Sequence, residues 1–273
     1  LGLRLPIGNL EDITLRVLKL MESVDVIAAE DTRNTLKLLN HFEIKTPMTS
    51  YHEHNKVTKG PVLVERLLAG ESIALVTDAG MPGISDPGAD LVKLCYAAGV
   101  PVTVAPGASA AVVALVLSGM DTRRFVFEGF LPVPKRDRRE RLAFLQNETR
   151  TMIFYEAPHK LRGTLDDLAA AFGADRSVSL CRELTKLHEE IKKTTLGEAV
   201  AFYKDNDPRG EYVLVLAGTD PAAVEQAAAP TLEEAVAAAR ALQAGGLPPA
   251  AAAKQAAAGT PFTKGEIYKE LIK

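Results

Sequence analysis

Thr77-Asp78-Ala79-Gly80-Met81-Pro82-Gly83-Ile84-Ser85-Asp86-Pro87-Gly88 follows the apolar run 72–76 and precedes a helical pattern over 89–98, so it reads as a strand-to-helix connection. Glycines 80, 83 and 88 let the backbone approach a neighbour closely, while Pro82 and Pro87 stiffen the path. Asp86 is suited to cap the helix, with Pro87 at its first position. The spacing Asp78-x-Gly-x-x-Gly has a dinucleotide flavour, but such a motif needs its helix to start at the glycines, and here Pro82 intervenes. No Gly-x-x-x-x-Gly-Lys-Ser/Thr loop occurs either. Taken alone, the loop is either a ligand wall or a tight structural turn.

Outward from this loop, short β-branched runs alternate with amphipathic helical patterns, the signature of a parallel sheet covered by helices. The expected elements are a helix over 14–21 capped by Asp12, a strand over 24–29, a helix over 35–41, a strand over 48–51 and a helix over 56–68. After the loop come a strand over 100–104 and an apolar helix over 111–118. A charged, proline-bearing stretch from Pro132 to Arg141 reads as a linker running into a helix, 132–147. Beyond it, strands are expected over 151–155, 177–181 and 211–217, with helices over 158–172 and 197–204 and a segment over 189–195. An alanine-rich tail then suggests three short helices, 232–242, 248–257 and 263–272. The domains expected are 1–124, 125–220 and a helix-turn-helix-like module over 231–273.

A chain of 273 residues with 47% apolar content can bury more than one core. The longest nearly uncharged apolar stretch, 108–120, is too short for a bilayer, and Leu1-Gly2-Leu3-Arg4 does not resemble a signal peptide. A start at Leu1 suggests a truncated beginning. Cys95 and Cys181 stand far apart without metal-ligand spacing, which points to buried thiols in a reducing cytoplasm, no metal, and no part in the mechanism. A net charge of −3 does not advertise nucleic-acid binding, so any RNA contact must be local. The candidate is the run holding Lys135, Arg136, Arg138, Arg139 and Arg141, which reads as either a phosphate-binding strip or a solvated helix face; Arg123 and Arg124 extend it.

Ligands of parallel sheets bind beyond the carboxyl ends of the strands. The polar clusters there are Pro6-Ile7-Gly8-Asn9, Ala29-Glu30-Asp31-Thr32-Arg33, Tyr51-His52-Glu53-His54-Asn55 and the opening loop. Together with Pro106-Gly107-Ala108-Ser109-Ala110, Gly129-Phe130-Leu131-Pro132, Phe154-Tyr155-Glu156-Ala157-Pro158-His159-Lys160, Arg182-Glu183-Leu184-Thr185-Lys186 and Gly210-Glu211-Tyr212-Val213-Leu214-Val215, they fall in the order of a known family. Up to Gly218 the chain resembles the bacterial small-subunit ribosomal RNA methyltransferase I family.

That resemblance implies the tetrapyrrole-methylase (class III methyltransferase) fold, two α/β domains with S-adenosylmethionine in the cleft between them, plus a small helical module. It implies 2′-O-methylation of a cytidine in the decoding region of 16S ribosomal RNA. Partners would be small-subunit ribosomal RNA or the 30S subunit, and a second copy in a homodimer. Carried over by motif, the cofactor wall would comprise Pro6, Asp78, Ala79, Gly80, Met81, Ser85, Ser109, Ala110, Tyr155, Glu156, Leu184, Thr185 and Tyr212. Tyr155 alone reads as either a contact or a core aromatic.

Transfer to a ribose oxygen requires in-line positioning and loss of the hydroxyl proton. Glu30, Asp31, His52, Glu53 and His54 are the candidate bases, and an imidazole titrates near neutrality without a large shift. Asp31, Arg33, His52 and Glu53 are the catalytic expectation; Asp31 and Arg33 read alternatively as ribose and phosphate ligands, and the two histidines as a surface loop pair. A methylase of small macrocycles and a non-catalytic RNA-binding factor remain as competing readings, separable by cofactor binding and by the substrate that takes up the methyl group.

Overall fold

Residues two apart on a strand share a face, and this sorts the first sheet into two cores. In a computed structural model that describes every residue except Leu1, Arg4 and Ala79, and all side chains but those of Gln226, Ala227 and Ala228 besides, the sheet has strand order β3-β2-β4-β1-β5. Its elements are β1 (Gly2–Leu3), α1 (Leu15–Ser23), β2 (Val26–Ala29), α2 (Thr32–His41), β3 (Met48–Ser50), α3 (Lys56–Leu68), β4 (Ile73–Val76), α4 (Gly88–Ala97) and β5 (Val104–Ala105). All its pairings are parallel. Ile27, Ala29, Ala74 and Val76 pack beneath α1 and α2 with Val17, Met21 and Leu39, while Val26, Ala28, Ile73 and Leu75 face Leu63, Leu91 and Cys95 of α3 and α4. Burial on both faces is why β2 and β4 read as unbroken apolar runs.

The chain continues through α5 (Ala110–Ser118), β6 (Phe125–Gly129), α6 (Lys135–Leu145), β7 (Thr151–Glu156), α7 (Leu161–Phe172), β8 (Ser177–Arg182), β9 (Glu190–Thr195), α8 (Leu196–Asp205) and β10 (Tyr212–Leu216). The second sheet has order β6-β7-β10-β8-β9, with β6 and β7 parallel and the other pairings antiparallel. Leu214 and Leu216 of β10 face α7 and α8, while Val213 and Val215 face Ala111, Ala114 and Leu115 of α5. Helix α5, which follows the first sheet in sequence, thus packs on the second, and both sheets lie in one compact unit, Leu1–Gly218. A separate unit, Thr219–Lys273, holds α9 (Pro221–Ala228), α10 (Leu232–Ala244), α11 (Pro249–Ala257) and α12 (Lys264–Leu271). Capping boxes at Thr231/Glu234 and Thr263/Glu266 start α10 and α12, and Ala235, Ala239, Ala253 and Ile267 form their shared core. No helix among the described residues is long and apolar enough to cross a membrane.

Several local expectations are corrected. Thr14, not Asp12, caps α1, because Leu10–Asp12 is itself a short 3-10 turn capped by Asn9. Helix α4 starts at Gly88 rather than at the residue after it, with Pro87 before it already in helical conformation; the Asp86 carboxylate accepts the Gly88 N–H at 2.7 Å, the capping contact expected of it, and also takes the Gly83 and Ile84 N–H groups of its own loop. The strand expected over 100–104 shortens to Val104–Ala105, and 158–160 forms a 3-10 turn ahead of α7. Helix α9 lay outside the sequence expectation altogether.

Candidate active site

The strand ends of both sheets converge on one cavity of about 410 Å³, within the size range of small-molecule sites, roughly 300–1,000 Å³. Antiparallel register brings its second wall together: Tyr212, at the start of β10, pairs with Glu156 at the end of β7 and with Arg182 at the end of β8. Of the cofactor residues expected from sequence, Gly80, Met81, Ser85, Ser109, Ala110, Tyr155, Glu156, Leu184 and Tyr212 line this cavity. Pro6, Asp78 and Thr185 do not; Ile7 rather than Pro6 faces it, and Ala79 lies outside the described residues. The wall also contains Glu30, Thr77, Ile84, Asp86, Phe130, Ala157, Pro158, Cys181, Glu211 and Val213. Most of these adjoin or belong to the quoted motifs, so the available signal was strand-end position. Cys181, expected to be a buried packing residue, is buried and also part of the wall; burial pushes its thiol pKa up, so it stays neutral.

The Thr77–Gly88 loop is held from inside. Asp86 accepts backbone N–H bonds from Gly83 at 2.9 Å, Ile84 at 3.1 Å and Gly88 at 2.7 Å. A Cβ on Gly88 would stand 2.7 Å from Asp86 Oδ1 and 2.8 Å from Gly83 N, so only glycine fits inside this clamp. Ser85 is held at φ 64, a left-handed conformation that costs a non-glycine residue of order 1–2 kcal/mol. Its hydroxyl would lie 3.0 Å from a Cβ on Gly129, at the end of β6, so the loop closes directly against the second sheet. From behind, the Tyr51 hydroxyl donates to the Pro87 carbonyl at 3.3 Å; burial pushes this phenol up to about 12, which keeps it a donor.

On the second wall, buried Glu156 accepts the Ala157 N–H at 2.8 Å and the Thr164 hydroxyl proton. Thr164 in turn accepts from Arg138 Nη2 at 2.8 Å. Tyr155 makes edge contacts with Phe127 and Phe130, and so serves both as cavity wall and as part of an aromatic cluster. Lys186 bridges Glu183 and Glu211 at 2.9 and 2.7 Å, and its stem covers Gly8, joining the two rims.

The expected catalytic set does not gather at the cavity. Asp31 caps α2 and is held at about 2 by the Arg33 side chain and backbone N–H, a poor base. Glu53 is tied to Lys56, which also binds Asp90. His52 is half-buried with its Nδ1 enclosed and without a hydrogen-bond partner, yet it is not on the wall. Glu30, the residue before Asp31, is on it. Desolvation pushes the Glu30 carboxyl above its usual range; Asp78 behind it is also raised, by burial first and then by Asp31.

The basic run forms α6 but is not a strip of free cations. Arg138 pairs with Asp167 and has a side chain only 15% exposed, Arg141 pairs with the enclosed Glu128, and Arg136 with Glu140. Lys135 and Arg139 remain exposed. Three of the five basic residues thus meet acids, Glu140 on the same helix and Asp167 and Glu128 outside it.

Glu30, Asp86, Glu156 and Glu211 line the cavity, and among the described residues no lysine, arginine or histidine does. Such a wall repels a pyrophosphate and favours a cationic ligand with an apolar body, which fits a sulfonium cofactor. Two α/β halves bracketing an acid-lined cleft are the build of a methylase. Residues 5–200 match the family described as Tetrapyrrole (Corrin/Porphyrin) Methylases, and the chain belongs to that family. Solved structures share the fold: the methyltransferase CobJ, 17% identical with a TM-score of 0.60 over 80% of this chain and 92% of that one, and uroporphyrin-III-C-methyltransferase from Thermus thermophilus, 19% identical with a TM-score of 0.56 over 79% and 92%.

Relatives in sequence are nearer. The protein named Ribosomal RNA small subunit methyltransferase I from Synechocystis sp. is 47% identical over 97% of this chain and 94% of its own length. Proteins of the same name from Bacillus subtilis and Escherichia coli O157:H7 are 47% and 46% identical, over 81% and 78% of this chain and 75% of each relative. Within its family the chain stands with these ribosomal RNA small subunit methyltransferase I proteins.

Proposed function

We propose that this protein transfers the methyl group of S-adenosylmethionine to the ribose 2′-oxygen of a cytidine in the decoding region of 16S ribosomal RNA. The observation that carries the cofactor reading is the cavity between the two sheets, carboxylate-bearing and without a cationic side chain among the described residues; the names of the relatives carry the substrate. S-adenosylmethionine supplies an electrophilic methyl group on a sulfonium centre. Around it, Gly80, Met81 and Ser85 would form one wall with Ser109 and Ala110, and Tyr155, Glu156, Leu184 and Tyr212 the other. Asp78, Pro6 and Thr185 would support these walls from the adjoining turns, and Ala79 is kept as a cofactor contact on the resemblance alone.

For RNA, the exposed cations Lys135, Arg136 and Arg139 on α6 and Arg33 at the start of α2, 87% exposed at its side chain, suit phosphates better than the largely covered Arg138 and than Arg141, which is committed to enclosed Glu128. We read 1–124 and 125–220 as the two functional halves and 231–273 as an appended module. A homodimer is supported by α5, apolar on every side and leaving Val112 and Val116 uncovered at 51% and 67% exposure. Two buried free thiols suit a reducing cytoplasm.

The test incubates the protein and methyl-labelled cofactor with undermethylated small ribosomal subunits, naked 16S RNA or a precorrin. Label on a cytidine 2′-oxygen is expected. Label confined to the macrocycle, or absence of cofactor binding by calorimetry, would refute the proposal.

A further inference from the structure

Four carboxylates reach the cavity, and three are already spent. Asp86 is filled by the N–H groups of Gly83, Ile84 and Gly88. Glu156 holds the Ala157 N–H and Thr164, and Glu211 is ion-paired with Lys186. Among the described residues Glu30 is held only by the Asp78 N–H at a long 3.4 Å to Oε2, which leaves lone pairs free on a carboxylate that lines the cavity. The other sequence candidates fail on geometry: Asp31 is occupied by Arg33 and Glu53 by Lys56, and neither touches the cavity.

Resting on the methyltransferase reading above, we propose that Glu30 is the proton acceptor for the attacking ribose hydroxyl. In that step the 2′-O–H bond breaks and its proton passes to a Glu30 oxygen. The electron pair left on the ribose oxygen forms the new O–CH3 bond. The carbon–sulfur bond of the donor breaks, its electron pair returning to sulfur, so a cationic sulfonium becomes a neutral thioether as the carboxylate becomes a carboxylic acid. Charge is thereby annihilated inside the cleft, where separated charges are least well solvated.

The surroundings suit this role. Burial raises the Glu30 carboxyl above the ordinary range, which makes it a stronger base than an exposed glutamate, and Asp78 and Asp86 on the β4–α4 loop push the same way. The Asp78 N–H opposes them first and the His52 imidazole, from the turn after β3, to a lesser degree; the enclosed His52 Nδ1 has no hydrogen-bond partner among the described residues. Ionisation of Glu30 should therefore govern the acid limb of the rate profile, placing that limb above the usual carboxylate region.

Glu30→Gln preserves size and removes the base. On undermethylated small subunits at saturating cofactor, kcat should drop by roughly 10²–10⁴, far beyond the loss of calorimetric S-adenosylmethionine affinity caused by removing one of the four wall carboxylates, and the acid limb should vanish. Independently of turnover, 13C NMR of carboxyl-labelled glutamates should show one resonance titrating above the others, missing in the variant. Glu30→Asp, retracting the carboxylate by one methylene, should keep the limb at reduced kcat. Wild-type kcat in Glu30→Gln, parallel loss of cofactor affinity, or a Glu30 resonance titrating with exposed glutamates would each overturn the assignment. If the wild-type protein itself leaves the RNA unlabelled, the function proposal falls and this one with it; if only the variant result fails, the function proposal stands.

Discussion

Asp86→Asn tests the idea that the methyl-donor wall is pre-formed by a single carboxylate. In the wild type both Asp86 oxygens accept N–H bonds: Oδ1 from Gly83 and Gly88 at 2.9 and 2.7 Å, Oδ2 from Gly83 and Ile84 at 2.9 and 3.1 Å. Asparagine keeps one acceptor oxygen and sets an NH2 against the other N–H set, so one charge-assisted bond is lost and its donor faces another donor. A hydrogen bond to a charged group contributes about 1.5–3 kcal/mol, so the loop should lose about 2 kcal/mol of order. The same loop presents Gly80, Met81, Ile84 and Ser85 to the cavity, and Ser85 must be held at a left-handed φ against its own preference.

With every 1.4 kcal/mol worth tenfold, the cofactor Kd should weaken by roughly five- to thirty-fold; the upper figure applies if the whole cost falls on the bound state. Calorimetric titration with S-adenosylmethionine, paired with hydrogen exchange at Gly83, Ile84 and Gly88, measures both ends of this argument. A Kd within twofold of wild type, with exchange protection retained, would show that the clamp does not shape the site.

Three further outcomes are expected. Thr164→Val removes the hydroxyl that joins Arg138 to buried Glu156, leaving a carboxylate oxygen unpaired in the core; urea unfolding should show a loss of about 1–3 kcal/mol with an unchanged m-value. Glu148, 14% exposed at its side chain, is held at about 2 by the Arg150 guanidinium against an ordinary 4.5, so its contribution to stability is fully present above pH 4.5 and lost as pH falls toward about 2. Melting curves of wild type and Glu148→Gln should accordingly converge on acidification through that window. Replacing exposed Lys135 and Arg139 by glutamine should weaken RNA binding and reduce the slope of log K against log salt by about 1 per residue, whereas Arg141→Gln, which strips enclosed Glu128 of its partner, should instead lower the melting temperature.

What could be read from residues alone was whatever local pattern dictates. The unbroken apolar runs of β2 and β4, the glycine and proline punctuation of the Thr77–Gly88 loop, and the three short helices of the tail are each written within a few neighbouring residues. The family resemblance carried by the order of the motifs nominated Gly80, Met81, Ser85, Ser109, Tyr155 and Tyr212, which the fold brings to one cavity. Tertiary structure decided how the groups are used. Asp86 looks like a helix cap in sequence and does take the Gly88 N–H, but only the fold shows that the same carboxylate also gathers the donors of Gly83 and Ile84 and so clamps the whole loop. Five basic residues on α6 look like a phosphate strip, but three meet carboxylates, two of those partners lying outside the helix. Glu30 and Asp31 are neighbours in the chain with equal claims as bases; one faces an enclosed cavity and the other an arginine, and that difference in desolvation and pairing exists only once β2 has ended and α2 begun.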